Sequence, residues 1–121
     1  MQSKVRNDLG TIAINNEVIA RLAGMAAMEC YGVVGMAARS LRDGLAHLLK
    51  IESLTKGVRL ETIDKGEHKG SLAISLHIIV EYETNITAIA QALIDNVKYK
   101  IEDCVGMTVG QVNIFVEGVR I

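Results

Sequence analysis

Leu72, Ile74, Leu76, Ile78, Val80 and Tyr82 alternate without a break with Ala73, Ser75, His77, Ile79 and Glu81. Period-two alternation over this length is the mark of a strand with one buried face, and it predicts a strand from Leu72 to Tyr82 whose second face is mostly wet. The stretch "KGVRLETI" (Lys56 to Ile63) reads as its partner, with Val58 and Leu60 on one face. "DKGEHKG" (Asp64 to Gly70) lies between them and carries two glycines among charges, so the pair is expected to form a hairpin. The period then changes. Ile86, Ile89, Ala90, Leu93, Ile94, Val97, Ile101 and Cys104 follow three-four spacing, opposite Gln91, Asp95, Lys98, Glu102 and Asp103. This is an amphipathic helix, capped by Thr84 or Asn85 and stopped by Gly106. A last strand, Val109 to Val119, sets Val112, Ile114 and Val116 on one face and Asn113, Phe115 and Glu117 on the other.

The first half is read in the same way. "GTIAI" (Gly10 to Ile14) is a strand with Ile12 and Ile14 on one face. Asn15 and Asn16 are N-cap candidates for a helix from Glu17 to about Glu29, whose stripe is Val18, Ile19, Leu22, Ala23, Ala26 and Cys30. A corner with Gly32 and Gly35 follows. Ser40 then opens a short helix, "SLRDGLAHLLK", with Leu41, Leu45, Leu48 and Leu49 as its stripe and Gly44 weakening it. The order is β-α-α-β-β-α-β. Short strands and one-sided helices imply an α+β two-layer sandwich: a mixed sheet of about four strands packed with two main helices plus a short helix. With 121 residues and no proline or linker-like stretch, residues 1–121 are expected to form a single domain.

Composition narrows the partners. Half the residues are hydrophobic, enough for a core, but aromatics are only 3% and there is no Trp, so platforms for stacking bases or sugars are scarce. The net charge of −1 lacks the basic excess of a strong nucleic-acid binder. The opening "MQSKVRNDLG" has no apolar core and is not a signal peptide. The longest uncharged run, Cys104 to Val116, has 13 residues and falls short of the roughly 20 a spanning helix needs. The expectation is a soluble cytoplasmic chain with no transmembrane segment, whose membrane contact comes only through a partner. Cys30 and Cys104 have no metal-ligand spacing; two buried free thiols are expected, with a structural disulfide between them as the alternative.

No catalytic constellation is visible. His47, His68 and His77 stand near no Ser or Cys they would activate, and each fits a surface or packing role. Glu81 with Glu83, and Glu102 with Asp103, read as solvated faces. Met25, Met28, Met36 and Met107 are core fillers rather than a cofactor box. No cofactor, metal or small-molecule substrate is expected, and an enzyme site around His77 and Glu81 ranks last. The corner "ECYGVVGM" (Glu29 to Met36) raises a sharper alternative. Helix, G-x-x-G, helix is the layout of a KH domain, whose loop clamps a nucleic-acid backbone. Here the loop would be Gly32-Val33-Val34-Gly35, with Arg39 and Arg42 beyond it. A clamp needs exposed amides near phosphate, and two valines fit a buried corner better.

Taken together, "GTIAINNEVIARLAGMAAMECYGVVGM", "KGVRLE", "LAISLHIIVEY", "NITAIAQALIDNVKYKIE" and "VGQVNIFVEGV" resemble the alkaline shock protein family, the cell-envelope stress response proteins of Gram-positive bacteria. The resemblance runs from Gly10 to Val119. One departure is "VEYET" before Asn85-Ile86, where the family pattern has Tyr-Gly. The resemblance implies a non-enzymatic cytoplasmic protein of envelope homeostasis, held under the membrane by a small membrane-anchored protein partner or self-associating. The candidate partner contacts are Tyr31, Val33, Val34 and Met36 at the corner, which would seal the core or offer a patch, and Phe115 on the final strand.

Overall fold

Asn15 ends a strand and starts a helix in one residue. Its backbone is extended, and its side-chain oxygen accepts from the Glu17 N–H at 2.9 Å, which satisfies one of the helix's free amides. In the computed structural model, which describes residues 2–37, 56–64, 66–67 and 70–121, the elements are β1 (Gln2–Asn7), β2 (Gly10–Asn15), α1 (Asn16–Met28), β3 (Val33–Met36), β4 (Val58–Thr62), β5 (Leu72–Glu81), α2 (Ile86–Val105) and β6 (Val109–Arg120). The short helix expected from Ser40, with Arg39, Arg42 and His47, lies outside the described residues, as does His68.

β5 is the spine of a mixed four-stranded sheet. β6 runs parallel along one side of it, from Leu72↔Val109 to Glu81↔Arg120. On its other side two antiparallel strands share its length: β4 pairs Leu72 to Leu76, and β3 pairs Ile78 to Val80. The α+β architecture therefore agrees with the sequence pattern, including the β4–β5 hairpin and the helical crossover from β5 to β6. Leu72, Ile74, Leu76, Ile78 and Val80 are all fully buried beneath the helices. Each such side chain contributes on the order of 1.5–3 kcal/mol of burial free energy. The opposite face of β5 is half-buried rather than wet, because β5 is flanked on both sides.

The helices lie on one face. α2 buries Ile89, Leu93, Val97, Ile101 and Val105, a strict every-fourth ridge. Ile86 and Cys104, placed on the stripe by three-four spacing, are exposed instead. Asn85 caps α2 by accepting from the Ala88 N–H at 3.0 Å, while the Thr84 hydroxyl turns back to the Glu81 carbonyl at 2.6 Å. Gly106, at φ +80°, ends the helix as expected. α1 buries Ile19 and a run of small residues, Ala20, Ala23, Gly24, Ala26 and Ala27. Small side chains let its backbone sit close to the layer below, and Val18 is left exposed.

Two readings of the N-terminal half need correction. Gly10–Asn15 does not enter the main sheet. It pairs with β1, in register from Gln2↔Asn15 to Asn7↔Gly10, as a separate two-stranded hairpin. The Asn7 side chain organises its turn, accepting from the Leu9 and Gly10 amides at 2.8 and 3.1 Å. The Gly32/Gly35 corner is also more than a corner, since Val33–Met36 is the strand β3.

Candidate functional site

The corner is built by close approach. Gly32 turns the chain at φ +91°, and a Cβ there would run into the Ile89 side chain. Its carbonyl accepts from the Glu81 N–H at 2.8 Å, and the Val33 N–H returns to Cys30 at 3.3 Å. The Gly32 carbonyl and the Val33 N–H of this G-x-x-G are therefore committed to the fold. β3 places Val33 and Met36 in the core, Met36 at 3% exposure, so neither offers the partner contact expected of it. Val34 is half-buried, and Tyr31 projects at 90% exposure. A KH-type clamp requires a free loop, and here a strand occupies that position.

Behind Tyr31 lies a groove of about 390 Å³ between the end of α1 and the first half of α2, floored by Cys30, Ile89, Ala92 and Asn96. Asn96 holds the two helices together. Its amide donates to the Ala26 carbonyl at 3.0 Å and reaches the Cys30 sulfur at 3.7 Å. The Cys30 thiol itself points to Ala26 O at 3.6 Å. Burial raises its pKa, against an opposing pull from the Asn96 bond and a smaller push from Glu29. Asn96 gave no signal in the sequence beyond being a polar residue beside the buried ridge.

Phe115 lies on the sheet face away from the helices. It pairs in register with His77 across β5 and β6, and the two rings stack with centroids 4.8 Å apart at 14°. Glu117 completes the cluster, its Oε2 standing 2.9 Å from His77 Nδ1. A carboxylate only accepts, so the imidazole proton is drawn to Nδ1 and the ring is fixed in place. A register shift between Ile78 and Ile79 makes Glu117 the extra residue of a bulge, which brings it over His77. Phe115 keeps 45% of its surface exposed.

Beyond Phe115 there is no further strand among the described residues, and β6 is the sheet's edge. On its helix side a second groove of about 280 Å³ is lined by Ile94, Lys98, Gln111 and Val112. Lys98 and Glu102 fasten the start of β6 to α2. Lys98 Nζ donates to Glu102 Oε2 at 2.8 Å and to Val109 O at 3.1 Å, and Glu102 Oε2 accepts from the Val109 N–H at 2.9 Å. Among the described residues no three His, Cys, Asp or Glu side chains converge as metal ligands, and no helix is long and apolar enough to cross a membrane.

The fold and these surfaces define a two-layer α+β domain that presents, among its accessible features, an aromatic cluster, grooves beside α2 and a strand edge. The profile of the alkaline shock protein 23 family, described as having a cell envelope-related function, matches residues 4–121, and the chain belongs to that family. The uncharacterized protein YloU of Bacillus subtilis is 41% identical over 122 residues, spanning 100% of this chain and 98% of that one. The uncharacterized protein Spy1614 of Streptococcus pyogenes is 30% identical over 122 residues, spanning 100% and 97%. Among solved structures, a variant of MamM-CTD matches with a TM-score of 0.49 and 13% identity, over 86% of this chain and 98% of that one.

Proposed function

We propose that the chain is a non-enzymatic protein–protein interaction module of the envelope stress response, working in the cytoplasm and reaching the membrane through an anchored protein partner. The observation that carries this reading is the half-exposed Phe115, held rigid by the His77 stack beside the open edge of β6. A fixed aromatic next to unpaired backbone is the chemistry of strand addition and side-chain anchoring at protein interfaces. Family membership supplies the envelope context.

The test is a photoreactive amino acid at position 115 in the source cells, with Tyr99 as a control site. Tyr99 is exposed on α2, away from the cluster. The expected result is a crosslink from position 115 to a membrane-fraction protein, unchanged by nuclease and reduced when His77 is replaced by Ala. Nuclease-sensitive RNA at position 115, or equal crosslinking from both sites, overturns the proposal.

A further inference from the structure

The side chains inside the groove behind Tyr31 spend their donors and leave acceptors open. The Ala26 carbonyl can only accept, so the Asn96 NH2 must face it, and the same group reaches the Cys30 sulfur. That leaves Asn96 Oδ1, which receives no donor among the described residues. The Cys30 thiol is likewise turned to Ala26 O. Glu29 adds a carboxylate at the rim. α1 ends here with no basic residue in its last turn, so its own sequence does not offset the negative end of the helix dipole. Burial, the largest cause, and the Glu29 charge both raise the Cys30 pKa, against the pull of the Asn96 bond. The groove disfavours negative charge.

Its floor is shaped for a long apolar stem. Ala88, Ala92 and Asn96 follow at four-residue intervals along one face of α2. Two methyl groups and the buried Ile89 therefore make a slot along the helix, and over two turns it runs about 12 Å. Tyr31 stands at its mouth, almost fully exposed. A cation already marks the carboxylate, since Lys100 Nζ lies 3.4 Å from Glu29 Oε2. Both side chains of that pair are near half exposed, and such pairs contribute little. Glu29 can turn to an incoming cation at small cost.

We infer that this groove receives an arginine side chain carried by a segment of a partner protein. The methylene stem lies on Ala88, Ala92 and Ile89. The guanidinium, which only donates, meets Glu29 and Asn96 Oδ1 and stacks on the Tyr31 ring. Lysine brings a compact, strongly hydrated ammonium without a planar face to stack, and a glutamate would meet the carboxylate and the helix's negative end. The segment is needed because the groove is open: Glu29, Tyr31 and Ala92 all stand exposed, whereas a small ligand alone requires a cleft that encloses most of its surface. The inference adds a second surface to the interaction-module reading. It lies on the helix layer rather than on the sheet face that carries Phe115, and the two can fail separately.

The probes are three capped tripeptides with arginine, norleucine or glutamate between glycines, titrated into the isotope-labelled full-length chain and followed by NMR. The arginine peptide is expected to shift the Ala88 and Ala92 methyl signals saturably at millimolar concentration, norleucine more weakly and glutamate not at all. Glu29→Gln/Tyr31→Ala should weaken arginine binding about tenfold. Ala92→Leu fills the slot at an exposed helix position and should abolish it. Unchanged amide signals elsewhere show that each variant is folded. A photoreactive residue at position 88 in the source cells then identifies what carries the arginine. A crosslink is expected to a segment of another protein that contains an arginine, and changing that arginine to Gln should remove it. Absent shifts, equal shifts from all three peptides, or variants that bind like wild type each overturn the inference. So does a crosslink to nucleic acid, lipid, a second copy of this chain or a segment without arginine. A groove that binds none of the peptides, while position 115 still crosslinks to a membrane protein, would sink this inference and leave the module reading standing.

Discussion

Gly57 and His77 meet backbone to backbone: the His77 N–H donates to the Gly57 carbonyl at 2.8 Å, and the His77 carbonyl in turn accepts from the Ala37 N–H at 2.9 Å. This is where β3 ends and β4 begins along the same side of β5. A Cβ at Gly57 would lie 2.5 Å from His77 O and 2.7 Å from Ala37 O, and neither is a flexible group that can swing aside.

Gly57→Ala is accordingly expected to cost about 2 kcal/mol or more, because the clash is with hydrogen-bonded backbone. Gly35→Ala is the internal control. It sits on β3 with nothing within 4 Å of its Cβ position, so its effect should stay within about 0.5 kcal/mol. Urea denaturation of both variants checks the contrast, and equal losses would show that the seam between β3 and β4 is looser than described.

Cys30 should react more slowly with iodoacetamide than a small-molecule thiol at pH 8.5 in a Cys104→Ser background. Burial disfavours its thiolate and raises its pKa. The sign for stability follows. Below the unfolded-state pKa the neutral thiol costs nothing, and stability falls as the pH rises above that value toward the folded one. A rate equal to that of the free thiol, in protein shown to be folded, would contradict the burial.

The strong periodic segments were legible because their environments are uniform. β5 is covered by helices along its whole length, and α2 lies on the sheet along one ridge, so hydrophobicity repeats at the structural period. The corner was harder. Val33 and Met36 are core residues with only Val34 and Gly35 between them, too short a run to show strand alternation. β1 has no such signal for another reason: it pairs with β2 outside the main sheet, so no regular core face writes a period into "QSKVRN". The cluster of His77, Phe115 and Glu117 depends on a parallel register and a bulge, which no local pattern contains. Phe115 could be placed off the core stripe, but its stacking partner could not be named.

Glu102 ties stability to pH from the acid side. The bond from Lys98, then the Val109 N–H, hold its carboxyl below the ordinary value. A depressed carboxyl contributes stability that is present above its unfolded pKa and is lost as the pH falls through the folded one. The pair is partly exposed, so the contribution is a few tenths to about 1 kcal/mol. Glu102→Gln should be less stable than wild type by that amount at pH 7, and the two should converge near pH 3. A gap that persists in acid would mean that packing, not charge, is what the substitution removes.

The corner divides by burial. Met36→Asp places a charge in the core and should cost at least about 3 kcal/mol, enough to unfold a marginal domain. Tyr31→Ala removes a side chain that solvent already surrounds, and the melting temperature should move by no more than a degree or two. Calorimetry on the two variants separates the core part of "YGVVGM" from its accessible part. If Tyr31→Ala were strongly destabilising, the exposed ring would have to pack where it is now seen projecting.

Glu83 is the one described non-glycine residue at positive φ, +62°. It stands in the "VEYET" turn between β5 and α2. An L side chain in the left-handed region costs about 1–2 kcal/mol, and glycine avoids that cost while giving back part of it as freedom in the unfolded chain. Glu83→Gly should therefore stabilise by about 0.5–1 kcal/mol, and Glu83→Asn, which tolerates the same conformation without that added freedom, by a comparable amount. Glu83→Val, β-branched and least suited to positive φ, should lose at least about 1 kcal/mol. Denaturant midpoints ranked Gly and Asn above Glu above Val would establish that the turn keeps its left-handed residue. Indifference across the series would mean that the turn relaxes to another conformation, and the Thr84 hydroxyl bond to Glu81 would go with it.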